Sequence, residues 1–234
     1  MQSSLAALLA TPPGTPFHVK RMHLKAQVVD LLRTHIVFGR IPAGTPLVER
    51  ELAEALHISR LPIREALQEL EKEGLVLTTS TNRRQVITLT ERDIRELYEV
   101  RLQLELLAST RAATRAPMVD CTPLITCLAN MERAFERHDL EAFPHTDINL
   151  HQVIWQLADN RHLLAMLGTM SRRLFMVVSR HSVLYDWTEV VDLHRAIVDA
   201  IVAGDVERTR ASIENHMQNS LERTLRAFIT DPPH

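Results

Sequence analysis

Residues 47–75 read LVERELAEALHISRLPIREALQELEKEGL, and no other stretch restricts the fold of the chain so tightly. Two runs of helical periodicity are separated only by His57-Ile58-Ser59. Leu52 and Leu56 share one face of the first run, and Ala53 is small enough for a close crossing. Ile63, Ala66, Leu67 and Leu70 form the apolar stripe of the second. Glu49 and Glu51 suit the positive end of the first helix dipole. Pro62 is expected at the first position of the second helix, where its missing N–H leaves no bond unmade, and Gly74 is expected to end it. Arg60, Arg64 and Gln68 recur every four residues on the side away from the stripe. A tight helix pair with an outward arginine face is how a helix-turn-helix meets the major groove of DNA.

The flanks extend the motif. Leu24, Val28, Leu31, Leu32 and Ile36 fall at helical spacing and predict a helix over about 23–38, closed by Gly39 and a Pro/Gly-rich loop over 41–46. After Gly74, residues 75–79 and 85–89 are β-prone and flank Ser80-Thr81-Asn82-Arg83-Arg84, which predicts a basic wing. Charge is uneven along the chain. Residues 20–89 hold 11 Lys and Arg against 8 Asp and Glu, a net of +3, whereas residues 90–234 hold 16 against 21, a net of −5. DNA contact must therefore come from a local, oriented basic face rather than from general attraction to a polyanion.

From Glu91 onward the pattern is helical throughout. A long helix is expected over 91–115, with Leu97, Val100, Leu104 and Leu107 inward. Further helices are expected near 123–137, 144–158, 163–182, 189–203 and 206–229, the last N-capped by Asp205 after Gly204. The expected fold is mainly α: a winged helix-turn-helix over 20–89, then an all-helical antiparallel bundle over 90–230. Residues 1–19, with Thr11-Pro12-Pro13-Gly14, read as a flexible arm. Cys121 and Cys127 match no zinc or redox spacing and read as reduced thiols. The apolar run 5–10 is too short for a signal peptide or membrane span, so a soluble cytoplasmic protein without a membrane partner is expected.

Four residues of the bundle stand apart. Asp147 and His151, four apart, project from one helix face. His194 lies near the inward side of its helix, and His216 follows on the last helix. Three imidazoles and a carboxylate from three helices could converge on a divalent transition metal. Taken singly, each has a plainer reading, as a hydrogen-bonded boundary histidine or a helix-surface pair.

Residues 31–86 resemble the winged helix-turn-helix of GntR-family bacterial transcription regulators, through Ile36 to Gly39, Pro42 to Leu47, Glu51-Leu52-Ala53, Ser59-Arg60, Pro62 to Leu67 and Glu73-Gly74-Leu75. The resemblance implies DNA contacts from Arg50, Arg60 and Arg64. One of them would pair with guanine O6 and N7 and the others clamp phosphate, in an order left open. Arg83 and Arg84 of the wing would reach phosphate or the minor groove. Leu61 stands where the family has threonine, Val48 where it has a small polar cap, His57 where glycine is common, and Thr81 to Arg84 replace a glycine-containing wing tip.

Residues 91–228 look like the FCD effector domain of the FadR branch of that family. The supporting pieces are Tyr98 to Arg101 followed by Glu105, Asp147 to His151 with Asn160, His194 with Ala196-Ile197, Gly204-Asp205, and His216. This implies that Asp147, His151, His194 and His216 hold a metal, with Zn, Ni, Fe and Mn all open. Four protein ligands leave positions for a small carboxylate effector. Arg101 is the candidate to grip its other end, ahead of Arg172 and Arg173, unless Arg101 simply pairs with Glu105 on the helix surface.

The expected function is a homodimeric, metabolite-responsive regulator of transcription. Each protomer would place the helix beginning at Pro62 in one half-site of a pseudo-palindromic operator on double-stranded DNA. Repression relieved by a carboxylic acid is the expected sign, with activation the alternative. Two other readings compete: a metal-dependent hydrolase or lyase with an appended DNA-binding module, and a metal that is structural or is itself the signal.

Overall fold

The computed structural model describes residues 24–139, 142–180 and 187–230. The chain divides into two compact units between Thr88 and Leu89. The arm expected over 1–19 and the end of the helix expected to reach Ser182 lie outside the described residues.

In the first unit, α1 (Leu24–Val37), α2 (Glu49–Leu56) and α3 (Arg60–Lys72) precede a hairpin of β1 (Val76–Thr78) and β2 (Arg84–Val86). Leu32, Ile36, Leu52, Ile63, Leu67 and Leu70 are fully buried and form the seam of the three helices. Arg33 at the end of α1 clamps Glu73 through Nε at 2.8 Å and Nη2 at 2.5 Å, tying the first and third helices. The turn between α2 and α3 closes with His57 in the left-handed region at φ 54°, its N–H returned to the carbonyl of Glu54. Gly74, at φ 69°, ends α3 as its position in the sequence suggests. Pro62 is displaced from its expected place: α3 begins at Arg60 after an extended Ser59, so the proline is third in the helix. It still falls among the first four residues, whose N–H groups have no intrahelical acceptor. Neither Val48 nor Ser59 caps its helix with a side-chain bond.

The wing pairs Val76 with Val86 and Thr78 with Arg84 in antiparallel register. Its tip turns through Asn82 at φ 57°, asparagine taking the position for which glycine is the default. A bridge between Pro46 and Gln85, with the Leu47 N–H donating to the Arg84 carbonyl at 2.8 Å, lashes the wing to the loop before α2. The sequence pattern did not foretell this bridge.

The second unit is a bundle of α4 (Glu91–Arg115), α5 (Thr122–Glu136), α6 (Phe143–Leu157), α7 (Arg161–Arg180), α8 (Trp187–Val202) and α9 (Val206–Thr230). A capping box between Thr90 and Asp93 starts α4. Asp205 caps α9 by accepting from the Arg208 N–H at 2.9 Å. Tyr98 Oη on α4 bonds Ser220 and Thr224 on α9 at 2.8 and 2.9 Å. No helix among the described residues is long and apolar enough to cross a membrane.

One expectation fails in α4. Val100 and Leu107 are not inward but 49% and 47% exposed, and Leu97 and Leu104 are half-buried. The core-facing stripe is instead Ile94, Tyr98, Arg101, Glu105, Ala108 and Ala112. Both rows have helical spacing, so periodicity alone favoured the more apolar one. The bundle chose the row whose polar members complete a buried network.

Candidate nucleic-acid interface and metal centre

The basic face of the first unit is built from α2, α3 and the wing. Arg60 and Gln68 are exposed on α3. Arg50 is 56% exposed on α2 and rests against Glu54 at 3.1 Å. Leu61, the departure at the start of α3, is 61% exposed beside the arginines. Arg64 is also exposed, but its Nε and Nη2 donate to the Glu49 carboxylate at 3.0–3.1 Å. Arg84 of the wing donates to the same carboxylate at 2.9 Å and is only 19% exposed, whereas Arg83 stands free of it in the solvent. The Arg64 guanidinium holds the Glu49 carboxyl below its ordinary range, with Arg84 adding to the effect. Glu49, expected only to complement a helix dipole, thus joins three elements on the basic face. A groove of about 490 Å³ opens between Arg64, Glu49 and the wing residues Asn82, Arg83 and Arg84.

In the second unit the structure brings together all four expected metal ligands. Asp147 and His151 come from α6, His194 from α8 and His216 from α9. The ring centroids lie 5.3 Å apart for His151 and His194, 5.1 Å for His151 and His216, and 4.5 Å for His194 and His216. One ring nitrogen from each lies within 4.8 Å of the others. All three histidines are at most 3% exposed.

The donor set itself tests whether a cation belongs here. His194 Nδ1 donates to the Val190 carbonyl at 2.7 Å, so that nitrogen carries a proton. Its Nε2 then faces Asp147 Oδ1 at 2.7 Å. Both atoms are buried and neither makes a hydrogen bond of acceptable geometry, and His216 Nδ1 is buried without a partner as well. Burial foremost, then the nearby His194, His151 and Arg101, hold His216 well below the ordinary imidazole value, so it stays neutral with a lone pair to offer. Burial would raise the Asp147 carboxyl, but His194 and His151 overcome it and bring it down to about 2. A carboxylate and imidazole nitrogens from three helices, converging on one buried point with several donor atoms left without a hydrogen bond, are what a divalent cation satisfies. The residues present fit one.

Behind the cluster, Glu105 on α4 is fully buried. It accepts from Arg101 Nε at 3.1 Å, Arg101 Nη2 at 3.0 Å and Trp155 Nε1 at 2.8 Å, and lies 3.5 Å from His151 Nδ1. Burial raises the Glu105 carboxyl, but His151 and Arg101 together bring it to about 2. A carboxylate behind a metal-ligating histidine fixes the ring and strengthens it as a donor. Arg101 is therefore no helix-surface partner of Glu105: it is 3% exposed, lies over the Phe175 ring at 5.9 Å, and lines the same cavity as the three histidines. That cavity has room for about 20 Å³, the space of one ion or water. The sequence offered Arg101 as the clamp for an effector or else as an (i, i+4) surface partner of Glu105, and it did not foresee the burial of either. Their depth could have been suspected from their place in the row shared with Tyr98 and Ala108.

Comparison with known proteins agrees with both units. The model for bacterial regulatory proteins of the gntR family matches residues 24–86, and the FCD domain model matches residues 96–219. The gluconate operon transcriptional repressor of Bacillus subtilis (strain 168) is 30% identical over 184 residues, covering 74% of each chain. A probable D-xylose utilization operon transcriptional repressor of Paenarthrobacter nicotinovorans is 28% identical, covering 90% of this chain and 93% of its own. The solved E. coli protein McbR/YncC shares the fold with a TM-score of 0.79 at 22% identity, over 90% of this chain and all of that one. The enzymatic reading falls away with this membership. The chain belongs to the gntR family of transcription regulators and carries an FCD domain behind its winged helix-turn-helix.

Proposed function

We propose that the protein is a homodimeric repressor whose grip on its operator is set by a small carboxylate bound at a divalent transition metal in the FCD domain. The observation that carries this reading is the set of buried donor atoms without hydrogen bonds at Asp147, His194 and His216, with His151 completing the group. When bound, the ion supplies a Lewis-acidic centre with open positions for carboxylate oxygens. Arg101, in the wall of the same cavity, supplies the opposing charge. The name of one relative links it to gluconate, a hydroxycarboxylic acid, which supports this ligand class.

The size of the cavity bears on the switch. Space for an ion is present, but a carboxylic acid enters only if neighbours such as Phe175 or Trp187 yield. A ligand that needs the expanded arrangement favours it over the compact one, and such differential affinity is what couples a ligand to a distant site.

On the DNA side, Arg60 and Arg64 at the start of α3 would enter the major groove, with Arg50 and Arg83 positioned for phosphate. Arg64→Ala is expected to weaken operator binding by roughly 1–3 kcal/mol if it reads a base. Glu49 would aim Arg64 while keeping a negative charge near the DNA. Glu49→Gln is therefore expected to raise affinity for random-sequence DNA while lowering discrimination for the operator by about 1 kcal/mol. Fluorescence anisotropy with the two DNAs measures both, and parallel losses on both would reduce Glu49 to a structural strut.

Selecting bound sequences from a random DNA pool tests the reading as a whole. A pseudo-palindrome with two half-sites is expected. Titrating chelator, metal and hydroxycarboxylates separately onto that operator then separates the readings. Release by carboxylate only when metal is loaded supports the proposal. Release by metal alone makes the ion the signal, and indifference to both makes it structural.

A further inference from the structure

Among the described residues of the first unit, the large apolar side chains left standing in solvent are Val48 and Leu61, 40% and 61% exposed. Both belong to the basic face: Val48 lines the groove with Glu49 and Arg64, and Leu61 lies between Arg60 and Arg64 in α3. A single exposed leucine needs no explanation by itself. The place of Leu61 does. It falls in the first turn of α3, the part of a recognition helix that reaches base edges. Helical spacing turns it away from the buried stripe of Ile63, Ala66, Leu67 and Leu70. Gln68 follows it by close to two full turns, so the two exposed side chains stand on one outward line. Arg60 and Arg64, exposed as well, take the shoulder between that line and the stripe, and exposed Glu65 takes the other side.

We propose that Leu61 reads thymine, by laying its apolar side chain against the C5 methyl group in the major groove. A leucine has no donor for a phosphate and no partner for the O6, N7 or amino groups of the other bases. Pressing it against any of them strips water from a polar atom and returns nothing. The carboxylate of Glu65 beside it disfavours a phosphate there too. The thymine methyl is the apolar group that the major groove presents, and apolar side chains are what recognise it. The inference rests on α3 entering the major groove and deepens that reading, because it names a base for a residue that has no polar atom of its own. A half-site read in this way holds a thymine close to the guanine that an arginine of α3 reads.

The test uses the full chain and the operator duplex recovered by selection from a random pool. Each thymine of the half-sites is replaced in turn by deoxyuridine, which removes the methyl group and keeps the base pair. Wild-type protein is expected to lose about fourfold in affinity at one thymine of a half-site, the change for withdrawing one methyl-sized group from contact. With both half-sites altered, the loss should be about 16-fold if the two act independently. Leu61→Ser should fold normally, because the side chain it shortens lies mostly in solvent, and helical circular dichroism checks this. On the unmodified operator it is expected to lose a comparable factor, with no further loss when deoxyuridine stands at the sensitive position. Its affinity for random-sequence DNA at the same salt concentration should stay within about twofold of wild type, since phosphate contacts carry that binding.

Fluorescence anisotropy reads all of these. No deoxyuridine penalty at any thymine with wild-type protein overturns the role of Leu61, as does a penalty that persists undiminished in Leu61→Ser. Equal losses by Leu61→Ser on operator and random DNA overturn it as well. In each case a sequence-selective complex leaves the DNA-binding reading in place. Selection that recovers no preferred sequence overturns that reading and the role of Leu61 with it.

Discussion

Replacing Glu105 with leucine is expected to destabilise the metal-free protein by about 3–5 kcal/mol, the range for leaving one member of a buried ion pair without its partner. Arg101 would keep its charge at 3% exposure, and Trp155 would lose the acceptor for its indole N–H. At roughly 2–4 °C per kcal/mol for a chain of this size, the midpoint of thermal unfolding should fall by about 6–20 °C. Glu105→Gln keeps an acceptor for Trp155 and should lose less. The double change Arg101→Met with Glu105→Leu is the sharper control. Removing both charges should cost clearly less than removing Glu105 alone, because an apolar pair leaves nothing unsatisfied. Urea unfolding of the chelator-treated proteins measures all three. A Glu105→Leu variant within 1 kcal/mol of wild type would mean that Arg101 reaches solvent.

The second large effect concerns the ligands themselves. In the wild type, metal at about 100 times its dissociation constant should stabilise the folded state by about 2.7 kcal/mol, through preferential binding to the native form. The corresponding rise in the unfolding midpoint is roughly 5–10 °C. In His194→Ala the metal affinity should fall by more than about 100-fold, beyond the range seen for losing a supporting residue behind the ligands. The same metal concentration then leaves the midpoint nearly unmoved. Without metal the variant should be less stable than wild type, since it opens a cavity and loses the Nδ1 bond to Val190 and the partner of the buried Asp147 carboxylate, so each protein's shift is read against its own metal-free midpoint. Differential scanning fluorimetry across a metal series checks this. A wild-type midpoint indifferent to Zn, Ni, Fe and Mn would remove the metal from the account, and an equal rise in His194→Ala would move it elsewhere.

The fold was legible in the sequence wherever local chemistry decides structure. Gly74 and the His57 turn mark where the helices of the DNA-binding unit end because only a left-handed residue closes them there. The Thr90–Asp93 box and Asp205 fix two helix starts for similarly local reasons. What sequence could not show depends on meetings between distant residues. Nothing in the spacing of Glu49, Arg64 and Arg84 says that one carboxylate will gather arginines from α3 and β2. In α4 two helical rows competed, and the more apolar one was the wrong choice for the core. Arg101 and Glu105 could enter the interior only because Trp155 and His151 arrive on α6 to meet the carboxylate. The four metal-centre residues stood out through resemblance to a family pattern more than through spacing. Their histidines and Asp147 lie on three separate helices, and only the packed bundle brings them within reach of one point.

The central claim is that Asp147, His151, His194 and His216 close around one divalent ion. Elemental analysis with X-ray absorption on the purified full chain addresses it most directly. The account predicts about one ion per chain, with a nitrogen and oxygen first shell near 2.0–2.2 Å, imidazole scattering and no sulfur. The ion should vanish in His194→Ala. A chain that takes up no stoichiometric metal, a shell containing sulfur from Cys121 or Cys127, or an ion retained in full by His194→Ala would contradict it.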